Sequence, residues 1–232
     1  MRFFMKKYFL TLTSFLLLIF PTISYGQEEQ QTLARLSEAL QKKEWTSAEK
    51  LFKQAMNENI YDAENFFWIQ VDKGCQVAPL MLEELSKYHL KNSNTEKAYI
   101  FSRERVKHMP NDVNLLTKTA ELAASLGYLE EAWKLYEQVL RLEPQNFSAN
   151  IYIGNLLLLR GEHAREEITR HYQLIDTPTR MQYANYRNKL EQVYSNYHLK
   201  AKNHLKKVKE SFKSVEITKS LKSIELFEKE IF

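Results

Sequence analysis

Cysteine is all but missing: Cys75 is the only one in 232 residues. No intramolecular disulfide can form, so the fold must rest on its core alone. Cys75 itself reads as a small, buried apolar residue, with a reactive thiol or an intermolecular bridge as the alternative. Glycine and proline number five each, too few for a loop-rich or β-rich fold. The same poverty of glycine leaves no phosphate-cradling loop, and no G-x-S-x-G occurs. One cysteine cannot build cysteine–histidine metal spacing. What is abundant is Leu, Glu, Lys, Ala and Gln in long tracts, which favours helix. Hydrophobic residues make up 44% of the chain, enough for a sizeable core.

The long apolar run is confined to the first 26 residues. Arg2, Lys6 and Lys7 form a basic start, Tyr8 to Phe20 is mostly apolar, and Ser24 and Gly26 hold small-residue positions after Pro21. That layout predicts a secretory signal peptide over residues 1–26. The run is shorter than the roughly 20 residues of a membrane span, and an uncleaved N-terminal anchor is the alternative. The expected location is therefore outside the cytoplasm, in a periplasm. The segment carries three of the 33 basic residues and none of the 29 acids, so the rest holds 30 against 29, a net +1. Residues 27–178 hold 18 basic and 23 acidic residues (−5), and residues 179–232 hold 12 and 6 (+6). A near-neutral balance gives no nucleic-acid footprint.

Behind the leader runs a period. Pro110, Pro144 and Pro178 stand 34 apart, as do Ala98 and Ala132, and Gly127 and Gly161; Ser93 extends the glycine series backwards. Three marks at one period signal an internal repeat. Glycine permits a tight interhelical turn, alanine is small where helices cross, and proline starts a new unit. This resembles the tetratricopeptide repeat. Residues 113–146 are the clearest copy, with Gly127, Ala132, Tyr136 and Pro144 in the family's places; Leu116, Ala120 and Ala123 depart from its first-helix pattern. Residues 79–112 and 147–180 are weaker copies, the latter turning at Gly161 but carrying Glu166 where the small alanine belongs. Degenerate units are expected at about 30–58 (Trp45, Ala48, Phe52, Ala55) and 181–214 (Ala201). Residues 59–78 are surplus, with Phe66, Phe67, Trp68, Ile69 and Val71 in a short packed helix. Residues 215–232 carry Ile217, Leu221, Ile224 and Phe227 at helical spacing. The resemblance implies an all-α fold over residues 27–232: helix–turn–helix repeats stacked as a short right-handed solenoid, closed by a C-terminal capping helix.

Four places deserve weighing as sites. His163, Glu167 and His171 fall at four-residue steps, a spacing that suits a divalent metal on one helix face. Charged neighbours crowd them and no second ligand set is evident, so no metal and no cofactor is expected. Tyr183, Tyr186, Tyr194 and Tyr197 share one helical face, expected to pack on the helix of Tyr172, with an exposed partner-binding ridge as the alternative. Lys202, Lys206, Lys207 and Lys209 form the wet basic face of an amphipathic helix, available to an acidic partner or anionic lipid. The resemblance implies a groove lined by first helices, here Glu83, Lys87, Lys118, Glu121, Tyr152 and Asn155. Mixed acids on that face leave no carboxylate clamp recognisable. The reading is a non-enzymatic exported scaffold for an unidentified protein or peptide. The alternative is an envelope-associated accessory subunit touching membrane through the basic tract or the uncleaved N-terminus.

Overall fold

In a computed structural model of the chain, residues 30–212 and 214–232 are described. The expected signal segment lies outside them. The described residues form helices and turns with no strand. They divide into two compact units, with the boundary between Met109 and Pro110.

The first unit holds five helices among its described residues. They are α1 (residues 30–41), α2 (Trp45–Glu58), α3 (Ile60–Gln70), α4 (Ala78–Lys91) and α5 (Thr95–His108). Lys43 and Ser93 turn the α1–α2 and α4–α5 hairpins in the left-handed region, at φ 57° and 58°. A non-glycine residue there is uncommon and mildly strained. The hairpins close on small residues: Ala48 and Ala98 are fully buried, and the Ser86 and Ser102 hydroxyls meet at 2.8 Å between α4 and α5. The surplus segment is a helix, α3, capped by the Asn59 side chain on the Tyr61 and Asp62 amides. Its far end is held by Lys73, whose ammonium donates to the Phe67, Trp68 and Val71 carbonyls, groups a helix end otherwise leaves unpaired. Phe66, Phe67 and Val71 are buried as expected. Ile69 is instead 81% exposed, and Trp68 is half-exposed with its ring stacked on Phe101 of α5.

Glu64 on α3 is the buried polar anchor of this unit. Its carboxylate reaches His89 Nε2 at 2.5 Å and Lys97 Nζ at 2.6 Å. Each carboxylate oxygen has a partner, which is what burial of such a group requires. Cys75 is only partly buried, against the edge of the core.

The second unit begins with α6 (Val113–Ser125) and α7 (Leu129–Leu142). Asp112 caps α6 on the Leu115 amide. Gly127 turns the pair at φ 78°, a conformation glycine adopts freely, and Ala132 is fully buried beyond it. Then the period fails. Residues 147–180 do not form a hairpin: α8 (Phe147–Gln173) runs straight through Gly161. A lone glycine costs a helix only about 1 kcal/mol relative to alanine, and packing offsets that. A Cβ on Gly161 would stand 2.6 Å from the His198 ring, and one on Gly154 2.9 Å from Leu205. Both glycines mark close approach to a later helix.

That later helix is the missing second half of the repeat. α9 (Arg180–Val193) starts at a Thr179–Gln182 capping box. It continues through a π-helical stretch (Tyr194–His198) into α10 (Leu199–Ser211) without a turn. α10 packs along α8, with Ala201, Leu205 and Val208 buried. The expected unit 181–214 is therefore not a hairpin of its own. Ala201 does serve as a small crossing residue, but its partner is the first half of α8. Ala132 and Ala201 are 69 positions apart, one period of 34 plus an inserted 35. The insertion is the distal half of α8 with α9. The cap, α11 (Val215–Ile231), buries Ile217, Leu221, Ile224 and Phe227. Arg187 donates to the Glu230 and Ile231 carbonyls at its end.

Candidate functional site

The expected groove residues part company. Glu83 and Lys87 lie on α4 of the first unit and are engaged with each other at 2.8 Å, while Arg105 also holds Glu83 at 2.5 Å. In the second unit Glu121, Tyr152 and Asn155 come together around a cavity of about 420 Å3. Lys118 is exposed on the same helix as Glu121 but does not line it. The bulk of the wall is apolar: Leu129, Phe147, Ile151 and Leu159 contribute, with Leu159 65% exposed. The Tyr136 and Tyr152 rings lie 4.7 Å apart. Tyr152 donates to the Leu129 carbonyl at 3.2 Å, and Ser148 donates to Glu121 at 3.4 Å. Burial pushes both tyrosine hydroxyls up from their ordinary pKa, and the Glu121 carboxylate adds to the effect on Tyr136. Both stay neutral across the physiological range. The arrangement offers apolar area, two aromatic rings and a few polar contacts. Phe147, Ile151 and Leu159 were missed in the sequence, although four-residue steps from Phe147 through Ile151 and Asn155 to Leu159 put one face of α8 in register.

The basic tract also divides. Lys202 is not on the wet face: its ammonium is held by Glu228 of α11 at 2.6 Å, and Tyr194 donates to the same carboxylate at 2.5 Å. The Lys202 bond, and then the Tyr194 one, hold the Glu228 carboxyl below the usual carboxylate range. Lys206 and Lys209 are exposed, and Lys207 leans toward the Pro144 carbonyl at 3.4 Å. His163, Glu167 and His171 are exposed on the distal half of α8. No group of three or more metal-ligating residues converges among the described residues.

The tyrosine row splits at the π-helical stretch. Tyr186 stacks on Tyr172 of α8 at 4.2 Å, and Tyr183 beside it is 51% exposed. Tyr194 is buried against Phe227 of α11. Tyr197, one turn on, still faces α8 beside Gly161, so the row divides at Tyr194 alone.

No protein-family model and no curated protein matches the chain. Among solved structures, a Bacteroides ovatus protein, named provisionally as a protein binding protein, is 34% identical over 88% of this chain and 99% of its own, with a TM-score of 0.68. The chain belongs to that protein's family. Its fold is tetratricopeptide-like, as its hairpins and their 34-residue spacing show. A tetratricopeptide repeat protein from Parabacteroides merdae is 15% identical over 87% of this chain and 73% of its own, TM-score 0.38. One from Thermus thermophilus is 20% identical over 85% and 99%, TM-score 0.31. Within this tetratricopeptide-like chain, the groove of α6, α7 and α8 is the candidate site.

Proposed function

We propose that the chain is a non-enzymatic interaction scaffold whose α6–α7–α8 groove binds an apolar segment of a partner protein or peptide. One observation carries the reading: Leu129, Phe147, Ile151 and Leu159 leave apolar area open to solvent around the Tyr136–Tyr152 pair. Surface of that kind in a helical-repeat fold suits partner binding. The provisional name of the Bacteroides ovatus relative agrees with it. The test is affinity capture from the native host with the parent chain and with Ile151→Asp/Leu159→Asp. The expected result is a partner retained by the parent and lost by a variant that melts like the parent. Equal capture by both would refute the groove.

The N-terminal pattern supports export, and we propose the periplasm as the working compartment. Fractionation with sequencing of the mature N-terminus tests this. A cytoplasmic chain that begins at Met1 would overturn it. The membrane-contact alternative keeps the uncleaved N-terminus and, of the basic tract, Lys206, Lys207 and Lys209, since Lys202 is engaged within the fold.

A further inference from the structure

A second concavity lies on other faces of the same unit. α7, α8 and α10 enclose about 520 Å3, inside the range of about 300–1,000 Å3 typical of ligand sites. Its floor is apolar, from Leu140, Ile153 and Leu157, and Trp133 stands at one side. Arg160 lies over the Trp133 ring, 5.3 Å from its centroid, and is itself paired with Glu130. Two cations line the cleft, Arg141 and Lys200, both exposed and neither in an ion pair among the described residues. One carboxylate, Glu137, shares the wall.

His204 completes the lining, and the chain fixes its tautomer. Asn150 donates through Nδ2 to the Pro144 and Asn146 carbonyls, at 3.1 and 2.8 Å. Its Oδ1 is therefore the acceptor that faces His204 Nδ1 at 2.9 Å. Nδ1 carries the proton, and Nε2 keeps its lone pair as an acceptor with no bond among the described residues. Burial, and then the nearby Lys207 charge, lower the His204 pKa. The imidazole is neutral at pH 7, so the cleft's cations are Arg141 and Lys200.

We propose that this cleft is a second docking site, for a short acidic peptide segment of a partner. An apolar side chain of the segment would rest on Ile153 and Leu157 beside Trp133. Its carboxylates would take Arg141 and Lys200, and a peptide N–H would reach His204 Nε2. Charge complementarity selects the occupant: two cations against the single Glu137 carboxylate, around an apolar floor, favour carboxylates attached to apolar chain. The site stands apart from the proposed groove, which shares none of these residues.

The probe is an Asp-Leu-Glu-Phe-Asp peptide, acetylated at its N-terminus and amidated at its C-terminus, with Asn-Leu-Gln-Phe-Asn blocked in the same way as its uncharged control. The chain has three tryptophans, so the Trp133 indole N–H resonance is assigned by its loss in Trp133→Phe. The expected result is a saturable shift of that resonance. Binding of the control peptide, and of the acidic peptide to Arg141→Glu/Lys200→Glu, should be weaker by about tenfold or more, the scale of losing a charge-assisted hydrogen bond. Arg141→Gln/Lys200→Gln replaces that variant if it melts below the parent. Ile151→Asp/Leu159→Asp should bind the probe unchanged, which separates this site from the groove. An unshifted Trp133 resonance, equal binding of the two peptides, or indifference to the charge reversal would each overturn the proposal. So would sedimentation with phosphatidylglycerol vesicles that depends on Arg141 and Lys200 while the peptide gives no shift, which would make the face a lipid contact.

Discussion

The α6–α7 pair and the α8–α10 pair solve one packing problem with two different chain paths. In the first, Gly127 reverses the chain at once and Ala132 drops into the crossing. In the second, α8 runs on, α9 returns, and only then does Ala201 reach the equivalent place. The repeat is thus held by its crossing residues and not by its turn. An excursion can be inserted between two helices if the small residues still meet.

The largest effect should come from the crossings themselves. Ala132→Trp and Ala201→Trp should each destabilise their unit by about 1–3 kcal/mol or more through overpacking. Thermal melting checks both, and an Ala201→Trp chain that melts like the parent would break the equivalence. The glycines sharpen it next. Gly161→Ala must displace the His198 ring and the Tyr197 side chain, and should cost about 1–3 kcal/mol. Gly127→Ala meets no atom within 4 Å but must hold φ 78°, which costs about 1–2 kcal/mol. A pseudo-wild-type melt for Gly161→Ala with a large loss for Gly127→Ala would mean the turn matters more than the crossing.

Smaller effects belong to α10. Lys202→Gln should cost about 0.5–1 kcal/mol, discounted because Glu228 is more than a third exposed. The sign with pH follows from Glu228, whose folded pKa lies below the ordinary 4.5. Its contribution is complete above 4.5 and is lost as pH falls through the folded value. Acid melts of Lys202→Gln should therefore lose less stability below pH 4.5 than those of the parent. Smallest of all, Lys206→Gln/Lys207→Gln/Lys209→Gln should stay within about 0.5 kcal/mol of the parent. Circular dichroism melts measure both, and a triple variant less stable than Lys202→Gln would reverse the assignment of structural and surface lysines.

The hairpins were legible because their marks are local. Ser93, Gly127, Ala98 and Ala132 sit at the turns and crossings their spacing foretold. Gly161 misled because a glycine looks the same whether it turns the chain or admits a ring from 37 positions away. Ala201 was recognisable as small, but its partner on α8 lies beyond an insertion that no local pattern announces. The groove was half legible: Glu121, Tyr152 and Asn155 follow from register, whereas the apolar wall depends on which faces the helices leave uncovered. Lys202 read as solvated because Glu228, its partner, belongs to a helix with no period linking it to α10.

The five-residue π-helical stretch at Tyr194–His198 acts as a phase shifter. Each residue of an α-helix advances the surface by about 100°, so one additional residue in the turn re-aims everything after it. Upstream, α9 directs Tyr186 at α8. Downstream, the same rod presents Ala201 and Leu205 to α8 and Lys202 to α11. One uninterrupted helical rod therefore serves as two differently clocked surfaces, the first belonging to the excursion and the second to the repeat.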